Sequence, residues 1–370
     1  MKIYKLGDVC ELTKGKTITR ATTNEGEIPV IGGGLGPTYY HNIANRKPPV
    51  ITISASGANA GFVNYWDLPI WASDCTTIVE KSDSPALIDY IYKYLKSRQE
   101  FINTELRRGS AQPHVYPSDI ADLDIPLPSL EKQREIVEKL DSAFVEIDLL
   151  EANLGLNDET ANQLMQSLLS ASFKPSIVKS ESRSVLANQE LAIPLVALKD
   201  FCKMYQPPTI STKEMIPNGK YVVYGANGPI GRYNKFNHEE PQLLVTCRGA
   251  TCGAVNMSEP FAWINGNAMV IQPNLRLATL EYMKYAFLGG IDVSSSITGS
   301  AQPQITRTTL EVIKVPLPSL EMQQEIVEKL NSAFTEIEVL KIQNKVKKDY
   351  AAALRQSLLS SAFTQEEGVA

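Results

Sequence analysis

A stretch of 22 residues in this chain returns 190 positions further on with 18 of them unchanged. The segment Pro126–Ile147, PLPSLEKQREIVEKLDSAFVEI, reappears as PLPSLEMQQEIVEKLNSAFTEI at Pro316–Ile337. At the same offset GSAQP recurs at Gly109–Pro113 and Gly299–Pro303, and QSLLSASF at Gln166–Phe173 recurs as QSLLSSAF at Gln356–Phe363. Solenoid repeats have periods of about 20–50 residues, so the pattern is a duplication of whole modules. A chain that nearly copies itself is expected to fold about an internal two-fold axis and to suit a partner that also comes in two halves.

The copies are not equally alike along their length. Residues 1–128 and 194–318 are rich in Gly, Pro, Tyr, Thr and β-branched residues. In the first of them, runs such as Pro49–Ser54 and Cys75–Val79 read as strands between turn signals, and Ala86–Arg98 reads as a helix. These are two mixed α+β globular units that share only a framework. Leu6, Asp8 and Cys10 align with Leu198, Asp200 and Cys202, SASGANAGFVN at Ser54–Asn64 aligns with TCRGATCGAVN at Thr246–Asn256, and Trp71 aligns with Trp263. Residues 129–173 and 319–363 are nearly the same in both copies. Equal connectors therefore hold unequal heads: the connectors present one surface twice, and the heads recognise different things. Residues 174–193, Ser- and charge-rich, read as a linker, and 364–370 as a tail.

The connectors predict long helices. Residues 129–173 lack proline, and Ser129 and Ser319 stand as N-caps ahead of Glu131 and Glu321, near the positive end of the helix dipole. Apolar residues recur in alternating steps of four and three at Ile136, Leu140, Ala143, Ile147, Leu150 and Leu154, then Ala161, Leu164 and Leu168. The second copy repeats this with Ile326, Leu330, Ala333, Ile337 and Leu340, then Ala351, Leu354 and Leu358. Such a stripe faces a partner helix, and roughly 40 residues at 1.5 Å each would span about 60 Å. Packed about a two-fold axis, the pair is antiparallel and sets the heads apart. Gly155 and the polar Asn157, Asn344 and Lys347 interrupt the stripe's middle. The expected fold class is α+β: two similar globular units separated by two long antiparallel helices in a coiled-coil spacer, with a pseudo-two-fold internal repeat.

Composition bounds the function. The 370 residues are 43% hydrophobic, enough for proper cores. No apolar run reaches the roughly 18–20 residues of a membrane span, and the N-terminus has no apolar signal core, so the expectation is an intracellular, cytoplasmic protein. Five cysteines and three histidines without a CxxC pair argue against a disulfide framework or zinc site. The net charge is −5, with acidic residues crowded around Glu131–Glu151 and its copy. The basic residues gather elsewhere: Lys14, Lys16 and Arg20; Arg46 and Lys47; Arg107 and Arg108; Lys199 and Lys203; Arg248; and Arg307.

Catalytic motifs are missing. Gly15-Lys16-Thr17 lacks the upstream glycine of a phosphate-binding loop, where Cys10 stands, and Ile31–Gly36 does not fit GxGxxG. No N-P-P-[YF] element is present, and His41, His114 and His238 have no nucleophile partner at motif spacing.

The order globular unit, repeated helix, globular unit, repeated helix, with the PLPSLExQxEIVEKL and QSLLSSAF blocks and the IPVIGGG and YVVYGANG segments, resembles the specificity subunits of type I restriction–modification systems. The resemblance covers essentially the whole chain. It implies that each globular unit is a target-recognition domain reading one half of a bipartite, asymmetric site in double-stranded DNA. It implies that the helices set the spacing and dock two methyltransferase subunits, with restriction subunits joining them. It also implies a chain that is not itself an enzyme and binds no cofactor. S-adenosylmethionine, ATP and Mg are then expected on the partner subunits. A type IIB-like enzyme's specificity subunit and a coiled-coil scaffold with two protein- or glycan-binding heads remain open beside this reading.

Candidate DNA contacts follow from residue chemistry. Gly57 and Gly61, and Gly249 and Gly253, permit either hairpin closure or close backbone approach to a ligand. Around them Ser56 stands against Arg248 and Asn59 against Thr251. Arg pairs with guanine and Asn with adenine in the major groove, so these differences would change the bases read. Arg107, Arg108, Gln112 and His114 flank the first GSAQP; Gln302, Gln304 and Arg307 flank the second. GSAQP itself, being identical, serves a shared task, either phosphate contact or a structural turn. Lys16, Arg20, Tyr39 and Tyr233 complete the candidates.

Overall fold

The computed structural model describes residues 2–109, 112–174, 177–178, 191–299 and 303–364. It divides into two compact units, one of residues 1–155 with 345–370, the other of residues 156–344.

In the first unit an antiparallel four-stranded sheet runs in the order Cys10–Lys14, Cys75–Glu80, Val50–Ser54, Val63–Trp66. A three-stranded sheet places Ile28–Ile31 between Pro37–His41 and Trp71–Ala72. The chain's first strand, Lys2–Lys5, pairs antiparallel with Asp124–Leu127, so the globular part closes on itself just before the long helix begins. All five residues of Val50–Ser54 are buried, which suits its run of β-branched and small residues at the sheet centre. Helix Ile88–Ser97 covers the sheet with Tyr90, Ile91 and Leu95. The core they make also takes in Ile136 and Leu140 from the first long helix and Leu359 and Phe363 from the second. Phe363 meets Tyr90 and Tyr94 edge-on, each at 5.3 Å.

The second unit repeats this plan. Its four-stranded sheet runs Cys202–Tyr205, Ala268–Pro273, Leu243–Thr246, Val255–Met257, and its three-stranded sheet places Tyr221–Gly225 between Gly228–Tyr233 and Trp263–Ile264. Leu195–Ala197 pairs with Lys314–Pro316 as the closing strand pair. Its core combines Leu243, Val245, Met269, Tyr282 and Met283 with Leu169, Val327 and Leu330 of the long helices and with Phe173 just past the first of them. Cys10 and Cys202 are buried core residues in their respective units.

The long helices are Leu130–Ser172 and Leu320–Thr364. Ser129 and Ser319 place their hydroxyls 3.3 and 3.4 Å from the amides of Lys132 and Met322, as N-caps do. The first helix continues unbroken through Gly155, where an added methyl would meet open space. Within each unit the two helices run antiparallel. In the first, Arg355 is ion-paired with Asp148 while Leu359 and Phe363 share a core with Ile136 and Leu140. In the second, Asn344 Nδ2 donates to Asp158 Oδ1 at 2.8 Å, and Lys341 Nζ lies 3.5 Å from Met165 Sδ.

The expected apolar stripe is buried at Ile136, Leu140, Ile147, Leu154, Leu330, Ile337 and Ala351 and is interrupted at four leucines. Leu150, Leu164, Leu340 and Leu354 are exposed. Beside Leu154, Ala161 and Ala351, half-buried or buried places in mid-helix go to Glu151, Asp158 and Met165, and to Lys341, Asn344 and Arg355. At each of the four leucines the next residue, Glu151, Met165, Lys341 or Arg355, is half-buried in its place, and the leucine turns outward. Of the expected linker 174–193, residues 175–176 and 179–190 lie outside the described residues, as does 365–370 of the tail.

Candidate nucleic-acid interface

In the first unit the chain leaves strand Val50–Ser54, turns through residues 55–62 and returns on Val63–Trp66. The turn is closed by Gly61 N–H donating to Ser54 O (2.8 Å) and Phe62 N–H donating to Asn59 O (3.0 Å). Gly57 and Gly61 have φ of +81° and +93°, conformations that side chains disfavour. The loop carrying GSAQP lies against this turn: Gly57 N–H donates to Pro113 O at 3.0 Å and Val115 N–H to Ala55 O at 3.0 Å. Ser56 and Arg108 both form bridges with His114.

The second unit builds the same frame. Gly253 N–H donates to Thr246 O (2.9 Å), Ala254 N–H to Thr251 O (2.9 Å), Gly249 N–H to Pro303 O (3.1 Å) and Ile305 N–H to Cys247 O (2.9 Å). Arg248 forms a bridge with Gln304. In both units the carbonyl of the GSAQP proline thus holds the first glycine of the turn. Ser110, Ala111, Ser300, Ala301 and the candidate Gln302 lie outside the described residues.

On this frame the side chains differ. In the first unit Ser56 Oγ donates to Asp74 Oδ2, and Arg107 Nη2 donates to the carbonyls of Gly57 (3.3 Å) and Ala58 (3.0 Å). Arg108 is ion-paired with Asp119 at 2.7 Å and lies 5.8 Å over the Tyr116 ring, which also stacks with His114 at 6.3 Å. Asn59 sits at the turn and Gln112 is exposed. In the second unit Arg248 is exposed at the position of Ser56. Thr251 Oγ1 donates to Asn227 Oδ1 at 2.8 Å, and Thr246 Oγ1 lies 3.0 Å from that same oxygen. Arg307 is held by Glu311, four residues on, at 2.6 Å.

Asn227 escaped the sequence reading. It occupies the two-residue turn between Tyr221–Gly225 and Gly228–Tyr233. The Thr251 hydroxyl holds its amide oxygen, so the NH2 group is oriented, and the residue is exposed. At the aligned position of the first unit stands exposed Leu35, in the turn between Ile28–Ile31 and Pro37–His41. The correspondence is fixed by a shared bond: Ser54 Oγ reaches Gly34 O (3.3 Å) as Thr246 Oγ1 reaches Ala226 O (2.7 Å). The Asn-Gly pair of YGANG was the available signal.

Four candidates lie apart from the turn. Lys16 and Arg20 are exposed on a segment pinned elsewhere, by Trp71 Nε1 donating to Lys16 O (2.9 Å) and Tyr39 Oη donating to Ile18 O (2.5 Å). Tyr39 therefore spends its hydroxyl on the backbone. Tyr233 pairs with Tyr221 at the end of its hairpin opposite Asn227, and its ring packs edge-on against Trp263 at 5.4 Å. The thiols offer no ready nucleophile: burial pushes Cys10, Cys75 and Cys202 up to about 12 and Cys247 to about 11.

Residues 1–155 and 194–348 both match the type I restriction modification DNA specificity domain. The chain is 23% identical to the type I restriction enzyme EcoDI specificity subunit of Escherichia coli, covering 99% of this chain and 88% of that one. It is 22% identical to the MjaVIII specificity subunit of Methanocaldococcus jannaschii, covering 91% and 87%. Its fold is shared with a solved structure from a study of assembly and conformational transition in the type I restriction–modification system, at a TM-score of 0.73 and 17% identity over 98% of this chain and 97% of that one.

Proposed function

The chain belongs to the type I restriction modification DNA specificity family, and on that premise we propose that it is the DNA-specificity subunit of a type I restriction–modification complex. Residues 1–128 and 194–318 are its two target-recognition domains, each reading one half of a bipartite, asymmetric site. The observation that carries this reading is one backbone frame built twice with unlike side chains at its tip. Ser56, Asn59 and Leu35 in one unit stand where Arg248, Thr251 and Asn227 stand in the other. Arg and an oriented amide suit polar base edges, and an exposed leucine suits a thymine methyl.

The long helices serve as spacer and as docking face for methyltransferase subunits. Support comes from apolar residues left exposed at repeat-related positions: Leu149 and Val339, Leu150 and Leu340, Leu156 and Val346, Leu164 and Leu354. A face kept apolar twice over is a face that a partner covers twice. Chemistry then belongs to the partners, and the chain contributes specificity in the cytoplasm. Among the described residues no helix is long and apolar enough to cross a membrane.

Coexpression with the cognate methyltransferase, followed by mapping of methylated adenines, tests the proposal. A split, asymmetric motif is the expected result; an unbroken palindrome, or methylation independent of this chain, overturns it. Binding of the assembled complex to DNA weakens steeply with salt, because phosphate contacts release counterions.

A further inference from the structure

The repeated helix segments differ at only four of 22 positions, and one of the four is Asp141 against Asn331. That difference meets a matching one on the globular side of each unit. In the first unit Lys93, on helix Ile88–Ser97, is buried; its ammonium is ion-paired with Asp141 and lies 4.8 Å over the Phe144 ring. Arg355 lies over the same ring at 4.8 Å and is ion-paired with Asp148. In the second unit the residue aligned with Lys93 is Tyr285. Its hydroxyl donates to Asn331 Oδ1 at 2.5 Å, and its ring meets Phe334, the counterpart of Phe144, edge-on at 5.4 Å. Arg355's counterpart is the uncharged Met165.

The alignment is secured by neighbours that do not differ. Tyr90 and Tyr282 donate to the carbonyls of Pro126 (2.8 Å) and Pro316 (2.6 Å). Gln133 Oε1 accepts from Leu87 N–H (2.9 Å) as Gln323 Oε1 accepts from Thr279 N–H (2.9 Å), and each amide nitrogen donates to two carbonyls. These bonds attach either head to either helix without discrimination.

We infer that Lys93–Asp141 and Tyr285–Asn331 are two unlike keys, matching each globular unit to the helix that follows it and deciding which unit can be grafted into which half. The mismatch is one-sided. A tyrosine at position 93 would still find an acceptor in Asp141. A lysine at position 285 would face the neutral Asn331, and a desolvated ammonium without an anion is strongly disfavoured. A unit carrying lysine at this place therefore fits the first helix as it stands, but the second only with an acid at position 331.

Thermal unfolding of the full chain tests this in two cycles. Asp141→Asn lowers the midpoint by about 3–6 °C, and Lys93→Tyr added to it recovers at least half the loss. Tyr285→Lys lowers the midpoint likewise, and Asn331→Asp added to it recovers at least half. Losses that simply add in both cycles overturn the inference. A third arm replaces residues 194–318 by a second copy of residues 1–128. That chimera is expected to melt higher with Asn331→Asp than without it; equal or lower melting counts against the keys. None of these arms uses DNA, so their failure would leave the specificity reading standing, and a failed methylation map would leave the keys standing.

Discussion

Gly57 donates its backbone N–H to the carbonyl oxygen of Pro113 at 3.0 Å, and in the other unit Gly249 donates to Pro303 at 3.1 Å. Two motifs about 55 residues apart in sequence thereby become one surface. The glycines are needed for different reasons. At Gly57 an added methyl meets open space, whereas at Gly61 it would lie 2.8 Å from Asn103 Oδ1 and 3.2 Å from Ile102 Cγ2. Gly57→Ala is therefore expected to lose about 1–2 kcal/mol from its positive φ alone. Gly61→Ala loses more, roughly 3 kcal/mol. Denaturant unfolding of the two variants checks the order; the reverse order would show that the turn is held otherwise.

Side chains on the shared frame should act on one half-site each. Arg248→Ser gives the second unit the residue that the first carries, and Asn227→Leu does the same at the hairpin turn. Each is expected to relax or alter base choice in one half of the methylated motif, by about 1–3 kcal/mol of discrimination, and to leave the other half alone. Methylation mapping with each variant decides the matter.

The glutamine clamp should be costly to remove in both units. Gln133 and Gln323 are fully buried and each makes three hydrogen bonds to backbone groups. Alanine at either position strands an N–H and weakens two carbonyls, a loss of about 2–4 kcal/mol. Near-equal losses for the two variants are expected from unfolding curves.

The outward leucines should matter to assembly and not to folding. Leu149→Glu and Val339→Glu replace exposed residues, so unfolding free energies should stay within about 0.5 kcal/mol of the parent. Recovery of the methyltransferase in a copurification should fall at least tenfold when both changes are present. Unchanged recovery would assign docking to another face.

His238 carries a pH dependence. Its Nε2 accepts from Tyr205 Oη at 2.9 Å and its Nδ1 donates to Asn237 Oδ1 at 2.7 Å. Burial holds the imidazole below its ordinary value of 6.5. The unfolded chain then takes up a proton that the folded chain refuses, so this contribution to stability is complete above the ordinary value and declines as pH falls through it. The parent should lose more stability between pH 7.5 and 5.5 than His238→Gln does, when both are followed by thermal unfolding.

Particular residues show how far the sequence could be read. Strands Val50–Ser54 and Cys75–Glu80 and helix Ile88–Ser97 lie within a residue or two of expectation, because turn signals and periodicity are local. Ser129 and Ser319 were legible as caps for the same reason. Asn227 and Leu35 were not legible as site residues, since their importance arises from a turn brought beside a distant one. The helix seam was misread at Leu150 and Leu164 because apolar counting cannot see that Glu151 and Asp158 find partners on the other helix.

The duplication, the division into like helices and unlike heads, and the residues that vary between the heads can all be read along the chain. All of these are written in identity, spacing and local propensity along one dimension. Folding alone reveals that Pro113 and Pro303 hold the glycine turns, that Lys93 meets Asp141 where Tyr285 meets Asn331, and which leucines face outward. Those facts depend on pairings between residues dozens to hundreds of positions apart. Such pairings are set by shape and by the need to satisfy buried polar groups, and neither leaves a periodic trace in the chain.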